Sequence, residues 1–364
     1  METTLSGLEQ SISKAVDYLY YRQYHNGEFC CYISDNEAIK GWMAPDSAVF
    51  PTALIAGALI CTQEDTRVDS ILRKSTFFFE CQMQPGGVWN YFTKWSRYSL
   101  TLPHDADDTA CVSAVFRDRN IEWPRPDNKV LLYINRNAKG LFYTWFAMHL
   151  KLSRNLRYWR LALREFGPPW TRQLVWIKTD CKRNDVDAGV NANVLYYLGE
   201  NSLTKPAVDY LINIIEEGRE DECDKWYRSR FFIYYFLSRN IREGIKGLEP
   251  VRRLVIERIV AAVQEDGKVG KSVLHTALAV CSLVSLSYKG PALDRSVQYL
   301  LAQQRSHGEW ERWAFYFGGG FGKMHCWGSE ELTTAFCVEA LVRYRDGITG
   351  QFLAESASVT EIHT

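Results

Sequence analysis

Three carboxylates stand within four residues of the chain, at Asp105, Asp107 and Asp108, directly ahead of an apolar run that ends at Phe116. Carboxylates are favoured at the start of a helix because they accept hydrogen bonds from its free N–H groups. One or two are enough for a cap, and three so close together repel one another. Burial would therefore raise the pKa of one of them. The cluster has two interpretations: an over-acidic helix cap with Asp107 in solvent, or a carboxylic acid kept protonated for delivery to a weak base.

The composition favours a large folded domain with many aromatic side chains. Of 364 residues, 46% are hydrophobic and 14% are Phe, Trp or Tyr. Such side chains can fill a core, and they can also line a cavity for an apolar or cationic ligand. Basic and acidic residues balance at 43 each, so we expect no nucleic acid partner, which would call for a basic excess.

The cysteines and the hydropathy pattern indicate a reducing compartment. Ten cysteines occur without any Cys-x-x-Cys spacing, as expected for free thiols in a cytosol. The first residues are polar and amphipathic, unlike a signal peptide, and no apolar run approaches the length of a membrane span. We therefore expect a cytoplasmic protein.

Two short patterns alternate along the chain. The first is Gln-x4-Gly-x-Trp, found at 82–89 and 303–310, with looser copies at 23–29, 135–142 and 264–269. The second is a small polar residue followed by Ala and an apolar helical run. It occurs at Thr52, Thr109, Asn191, Thr276 and Thr334. Their alternation predicts repeated helical hairpins, with turns of the first kind between them.

The repeats fit both an open solenoid and a closed ring. The apolar helices that follow the second pattern are rich in small residues and carry few charges, as suits helices packed around a central cavity. We therefore predict an all-α fold, a single closed (α/α)6 barrel over residues 1–350. The segment 351–364 is expected to be a flexible tail.

The repeats, together with the sequence Asp-Ala-Asp-Asp-Thr-Ala at 105–110, resemble the class II terpene cyclases of the squalene–hopene cyclase family. That family's signature is Asp-x-Asp-Asp-Thr-Ala with glutamine–tryptophan repeats. The resemblance covers the whole chain but only one of the two barrels usual in the family. It implies that Asp107 protonates a terminal C=C of a linear isoprenoid, which would be a diphosphate or a meroterpenoid. Carbocation cyclisation would follow without ionisation of a diphosphate, and Asp105 and Asp108 would tune the acid.

The resemblance also implies a partner for the acid. Bacterial members of the family carry a histidine beside it, and the corresponding position here is Asn193, in the sequence Gly-Val-Asn-Ala-Asn-Val-Leu at 189–195. An amide can donate a hydrogen bond to Asp107 but carries no positive charge. We therefore expect a somewhat weaker acid than in those relatives.

Family members line the cavity with aromatic side chains at repeat positions. The matching residues here are Phe50, Trp145, Phe321 and Trp327, which the resemblance assigns to substrate binding. The negative face of an aromatic ring stabilises a nearby carbocation.

The resemblance implies no required cofactor and no metal site, although Mg²⁺ would be compatible with a substrate that carries a diphosphate. The expected partner is the isoprenoid itself. Because the second barrel is missing, a homodimer, a partner subunit or peripheral contact with a membrane could close the site from the other side.

Three alternatives to this interpretation can be weighed from the sequence. The first is a non-catalytic barrel that binds an isoprenoid or a partner protein, with the aspartates as caps. The second is a prenyltransferase-like protein, which would hold zinc with an Asp-x-Cys pair and a later His. Segments 269–275 and 330–334 offer no such set, and the adjacent His325 and Cys326 are poorly spaced for one metal. The third is a class I terpene synthase, for which the three aspartates are too compact.

Overall fold

The computed structural model describes residues 5–121, 127–149, 153–166, 171–320 and 322–350. In this part of the chain the α-helices are α1 (Leu5–Arg22), α2 (Val49–Leu59), α3 (Thr66–Gln82), α4 (Ala106–Asp118), α5 (Lys129–Ile134), α6 (Leu156–Ala162), α7 (Thr171–Lys178), α8 (Ala188–Leu198), α9 (Lys205–Glu216), α10 (Arg230–Arg242), α11 (Arg252–Ala261), α12 (Val273–Ser285), α13 (Pro291–Gln303) and α14 (Glu330–Thr349). The strands are β1 (Cys31–Ser34), β2 (Met43–Asp46), β3 (Tyr316–Gly320) and β4 (Lys323–Gly328). The tail predicted at 351–364 lies outside the described residues.

Six of the helices form a closed inner ring. In the order α2, α4, α8, α10, α12, α14, each packs against the next, and α14 packs against α2 to complete the circle. Almost every residue of α2 and α12 is buried, as expected for helices surrounded on all sides. The outer helices α1, α3, α9, α11 and α13 cover the ring and present mixed faces. The predicted barrel architecture is confirmed.

The two alternating sequence patterns prove to be the two halves of one contact. In each repeat, the backbone N–H at the aromatic or apolar end of the turn donates to the small polar side chain of the next inner helix. The five pairs are Phe29 with Thr52 (3.0 Å), Trp89 with Thr109 (3.1 Å), Phe142 with Asn191 (3.0 Å), Val269 with Thr276 (2.9 Å) and Trp310 with Thr334 (3.2 Å). The repeat therefore fixes where five of the six inner helices begin.

The glycine of the turn allows a close approach to the neighbouring outer helix. At Gly308, φ is +98°, and a Cβ there would lie 2.3 Å from the carbonyl oxygen of Lys14 in α1. Gly27 meets Lys74 in α3 in the same way. No side chain fits such a gap, so the pattern requires glycine at these positions.

A small antiparallel sheet, in the order β2-β1-β4-β3, was not predicted from the sequence. Its strands are four to six residues long, and β3 ends in three glycines, so they show no clear alternation of polar and apolar residues. Strands β2 and β4 end shortly before α2 and α14 begin. The sheet therefore lies at the end of the barrel where the inner helices start. Among the described helices, none is both long and apolar enough to cross a membrane.

Candidate active site

The three aspartates begin inner helix α4, and only one of them caps it. The Asp105 side chain accepts hydrogen bonds from the backbone N–H groups of Asp107 (2.6 Å) and Asp108 (3.4 Å). Asp107 is 7% exposed, so the interpretation of this residue as a solvated cap is wrong. Once Asp105 supplies the cap, the carboxyl groups of Asp107 and Asp108 are left buried inside the barrel.

Both oxygens of Asp107 accept hydrogen bonds from neutral donors. Asn193 in α8 donates from Nδ2 to Oδ1 at 2.6 Å. Tyr227, in the loop before α10, donates from its hydroxyl to Oδ2 at 2.5 Å. The structure thus places Asn193 against Asp107, as the resemblance implies, and Tyr227 is a further donor. Two donors of this kind hold the carboxyl in one orientation and favour its ionised form.

A positive charge stands behind the amide. Arg239 in α10 donates from Nη2 to Oδ1 of Asn193 at 2.5 Å. Its guanidinium is buried and lies 4.0 Å from the ring centre of Tyr196. Asn193 itself carries no charge, but it connects Asp107 to one. The charge of Arg239 lowers the pKa of Asp107, and that this acid is weaker than the one in the relatives stays a prediction.

The three carboxyl groups differ in acidity. Burial raises the pKa of Asp107 to about 6, and the donors Tyr227 and Asn193 limit that rise. Burial and the neighbouring charges raise the pKa values of Asp105 and Asp108 well above the usual range. Among the described residues, no group hydrogen-bonds to Oδ1 of Asp108, so that oxygen has no donor to stabilise a negative charge. Asp107 thus carries the most acidic proton of the three.

Two of the four predicted aromatic residues share a neighbour, Tyr316 of β3. The ring of Trp327 in β4 stacks on Tyr316, with 5.6 Å between centroids and 13° between planes. Phe50 meets the same ring edge-on at 5.5 Å. Phe50 and Asp107 are the second residues of the adjacent helices α2 and α4, so both lie at the sheet end of the barrel.

Trp145 belongs to a different group of side chains. Its backbone pairs with that of Asp105, but its ring packs edge-on against Trp226 (5.8 Å) and Trp176 (6.4 Å). Its indole N–H donates to Asp185 at 3.1 Å. The structure therefore places Trp145 beside the aspartate motif but apart from the group formed by Phe50, Tyr316 and Trp327. The predicted Phe321 lies outside the described residues.

Tyr227 and Arg239 were missed by sequence reasoning. Arg239 could have been noticed in the sequence. It follows the largely aromatic run Phe231–Phe236 by three residues, at a place where a charged, solvated side chain is unexpected. Tyr227 had no such signal, since it lies in a loop whose path only the tertiary structure defines. Within the described segments, no three His, Cys, Asp or Glu side chains are grouped so that they could hold a metal ion.

Comparison with solved structures shows what this architecture is similar to. A variant of the type II terpene cyclase MstE from Scytonema, solved with geranylgeranyl dihydroxybenzoate, superposes with a TM-score of 0.70 at 15% identity, over 94% of this chain and 99% of that one. The ent-copalyl diphosphate synthase from Streptomyces platensis gives 0.50 at 15% identity, over 82% of this chain and 50% of that one. A possible member of the GH105 family from Salmonella enterica gives 0.53 at 11% identity, over 95% of both chains.

These likenesses establish the fold, which is that of the class II terpene cyclases. No protein-family model and no curated protein matches the sequence. Because the GH105 relative has a similar barrel, the architecture alone does not assign a reaction. The assignment has to come from the residues around Asp107.

Proposed function

We propose that this protein is a class II terpene cyclase in which Asp107 protonates the terminal C=C of a linear isoprenoid and starts carbocation cyclisation. The substrate would be a polyprenyl diphosphate or a prenylated aromatic compound, and any diphosphate would stay attached. The observation that carries the proposal is the buried carboxyl of Asp107, with a donor on each oxygen and a raised pKa. A helix cap requires none of these features.

An alkene is a very weak base, so its protonation needs both an available proton and a stabilised conjugate base. Burial supplies the first requirement by keeping the carboxyl partly protonated near neutral pH. Tyr227 and Asn193 supply the second, because their hydrogen bonds strengthen as negative charge develops on Asp107. Arg239 adds a full positive charge through the Asn193 amide. Asp105 and Asp108 lack this combination, which favours Asp107 as the acid.

The proposed reaction then proceeds without a redox step. The π electrons of the terminal C=C take the proton from Asp107, and the adjacent carbon becomes a tertiary cation. Internal double bonds attack in turn and close the rings. Loss of a proton or capture of water ends the sequence, and Asp107 regains a proton before the next turnover. We assign Phe50, Trp327 and Trp145 to stabilisation of the cations, each ring contributing on the order of 1–2 kcal/mol when desolvated.

The likeness to MstE supports this assignment in a second way. The match spans 99% of the MstE chain, so a one-barrel chain of this size suits a terpene cyclase. A homodimer, a partner subunit or a membrane surface in place of the second barrel stays a proposal. So does a location in the cytoplasm.

Substitution of the acid tests the proposal. Purified Asp107→Asn and wild-type protein would be incubated with geranyl, farnesyl and geranylgeranyl diphosphates, the free polyprenols and geranylgeranyl dihydroxybenzoate. Asp118→Asn, at the other end of α4, is the matched control. We expect cyclic products from the wild type and the control but none from Asp107→Asn. Cyclisation by Asp107→Asn within a few-fold of the wild-type rate would show that another group is the acid, and equal ligand binding without any product would favour the non-catalytic alternative.

A further inference from the structure

A cavity opens beside the candidate active site, at the sheet end of the barrel. This rim pocket has a volume of about 320 Å³ and lies where α10 and α12 begin, next to β3. Its apolar walls include Phe231, Trp313 and Phe317, and its polar lining includes Arg228, Lys271 and His275. Such a pairing of flat apolar walls with a few convergent polar groups is typical of a site for an organic ligand.

The rim pocket is one aromatic layer away from Asp107. Residues 227 and 228 are consecutive, and their side chains diverge: Tyr227 bonds to Asp107, whereas Arg228 lines the pocket. The pocket wall Phe232 packs against Tyr227, with 6.1 Å between ring centroids. A head group in the pocket would therefore lie against the aromatic layer whose other side contacts the acid.

The charges of the rim pocket leave one cation in excess. Arg230 is paired with Asp221, and Lys271 is paired with Glu37. Arg228 donates from Nε to the backbone oxygen of Lys225 (3.1 Å) and lies over the ring of Phe317. Among the described residues, no carboxylate lies within 4.0 Å of its guanidinium. One free guanidinium matches a single carboxylate, whereas a diphosphate needs several cations.

His275 adds a neutral donor to the rim pocket. Its Nδ1 accepts a hydrogen bond from the backbone N–H of Lys271 at 3.2 Å, which places the ring proton on Nε2. Burial and nearby lysines lower its pKa to about 4, so the ring is neutral under ordinary conditions. Only 5% of the residue is exposed, and no described residue accepts from Nε2. Its free N–H is available to a phenol or a carboxylate.

We propose that the rim pocket binds the substrate's head group, and that this head group is an aromatic ring carrying one carboxylate. The inference rests on the proposed cyclase function and narrows its substrate class to prenylated aromatic acids. The ring would lie among Phe231, Trp313 and Phe317, the carboxylate would bond to Arg228, and His275 would donate to an oxygen of the head group.

Binding, measured without turnover, tests this proposal apart from the cyclase function. Calorimetric titrations would use Asp107→Asn protein and three probes that share one chain: geranylgeranyl-substituted 4-hydroxybenzoic acid, its methyl ester and geranylgeranyl diphosphate. Arg228→Ala, Arg228→Lys and, as a control on the exposed face of α11, Arg253→Ala would be added to that background. Turnover of the benzoic acid probe is measured separately, with protein that retains Asp107. A failure of catalysis therefore does not affect the binding result.

We expect the acid to bind about tenfold more tightly than the ester, because only the acid makes the charge-assisted bond. Arg228→Ala should remove that preference by weakening the acid alone, Arg228→Lys should keep most of it, and Arg253→Ala should change nothing. The proposal is overturned if the acid does not bind, if Arg228→Ala weakens acid and ester equally or neither, or if the diphosphate binds more tightly than the acid in an Arg228-dependent manner.

Discussion

The charge of Arg239 can be removed while its capacity for hydrogen bonding is kept. We predict that Arg239→Gln raises the pKa of Asp107 and slows proton transfer. The guanidinium acts across two hydrogen bonds of 2.5 and 2.6 Å joined by one amide. At a separation of roughly 7 Å and an effective dielectric constant of about 20, its interaction with the Asp107 carboxylate is about 2 kcal/mol. That corresponds to a rise of between one and two pKa units.

The sign of the effect follows from the form that reacts. Asp107 must be protonated to act, so kcat/KM is highest below its pKa of about 6 and falls tenfold per pH unit above it. In Arg239→Gln the fall should move to about pH 7 or 8. The rate on the low-pH plateau should drop several-fold, because a weaker acid transfers its proton more slowly.

The assay is the pH profile of kcat/KM for cyclic product from about pH 5 to about pH 9, with Arg253→Gln as an exposed control. Circular dichroism would confirm that the variant is folded, since Arg239 also packs against Tyr196 and Tyr235. A purely structural role would lower the rate at every pH without moving the profile. An unchanged profile, or one that moves to lower pH, would refute the proposed effect of the Arg239 charge on Asp107.

Three further predictions concern the same group of residues. Tyr227→Phe removes one donor, so the profile should move to higher pH and kcat should fall about tenfold; an unaltered profile would contradict this. Asn193→Ala should lose tenfold or more in turnover, whereas Asn193→His should keep activity with an altered pH dependence; unchanged kinetics in both would remove Asn193 from the mechanism. The raised pKa of Asp107 implies a stability penalty of about 3 kcal/mol at neutral pH, absent below pH 3.8. Asp107→Asn should therefore raise Tm at about pH 7 more than at about pH 4, and a lower Tm at neutral pH would contradict the burial argument.

Much of the fold could be predicted because it is built from local rules. For example, the turn at 303–310 supplies the donor and Thr334 the acceptor of one hydrogen bond, and both sequence patterns recur along the chain. The sheet could not be predicted in this way. Its central pair, β1 and β4, joins residues almost three hundred positions apart, and strands of this length carry too few residues for a periodic pattern.

In the candidate site, too, the residues of a local sequence motif could be predicted, and those that only the tertiary structure brings together could not. The Asp107 motif is contiguous and is followed by a clear helix, so its chemistry could be proposed from sequence. Asn193 came from the resemblance, and the structure places it against Asp107. Asn193 lacks the positive charge that a histidine can carry at this position. Arg239, 46 residues further on, supplies a charge there instead, and no local sequence pattern could pair the two residues. Burial, which decides the pKa of Asp107, is likewise a property of the closed barrel.

If cyclisation begins with a proton from Asp107, solvent hydrogen must enter the product at a defined carbon. Cyclisation in D₂O with an accepted substrate would be followed by mass spectrometry and NMR of the product. Because the carboxyl proton of Asp107 exchanges with solvent between turnovers, we predict one deuterium at the CH carbon of the former terminal C=C and an intact head group. A cyclic product without deuterium at that carbon, or one formed with release of pyrophosphate, would contradict this prediction.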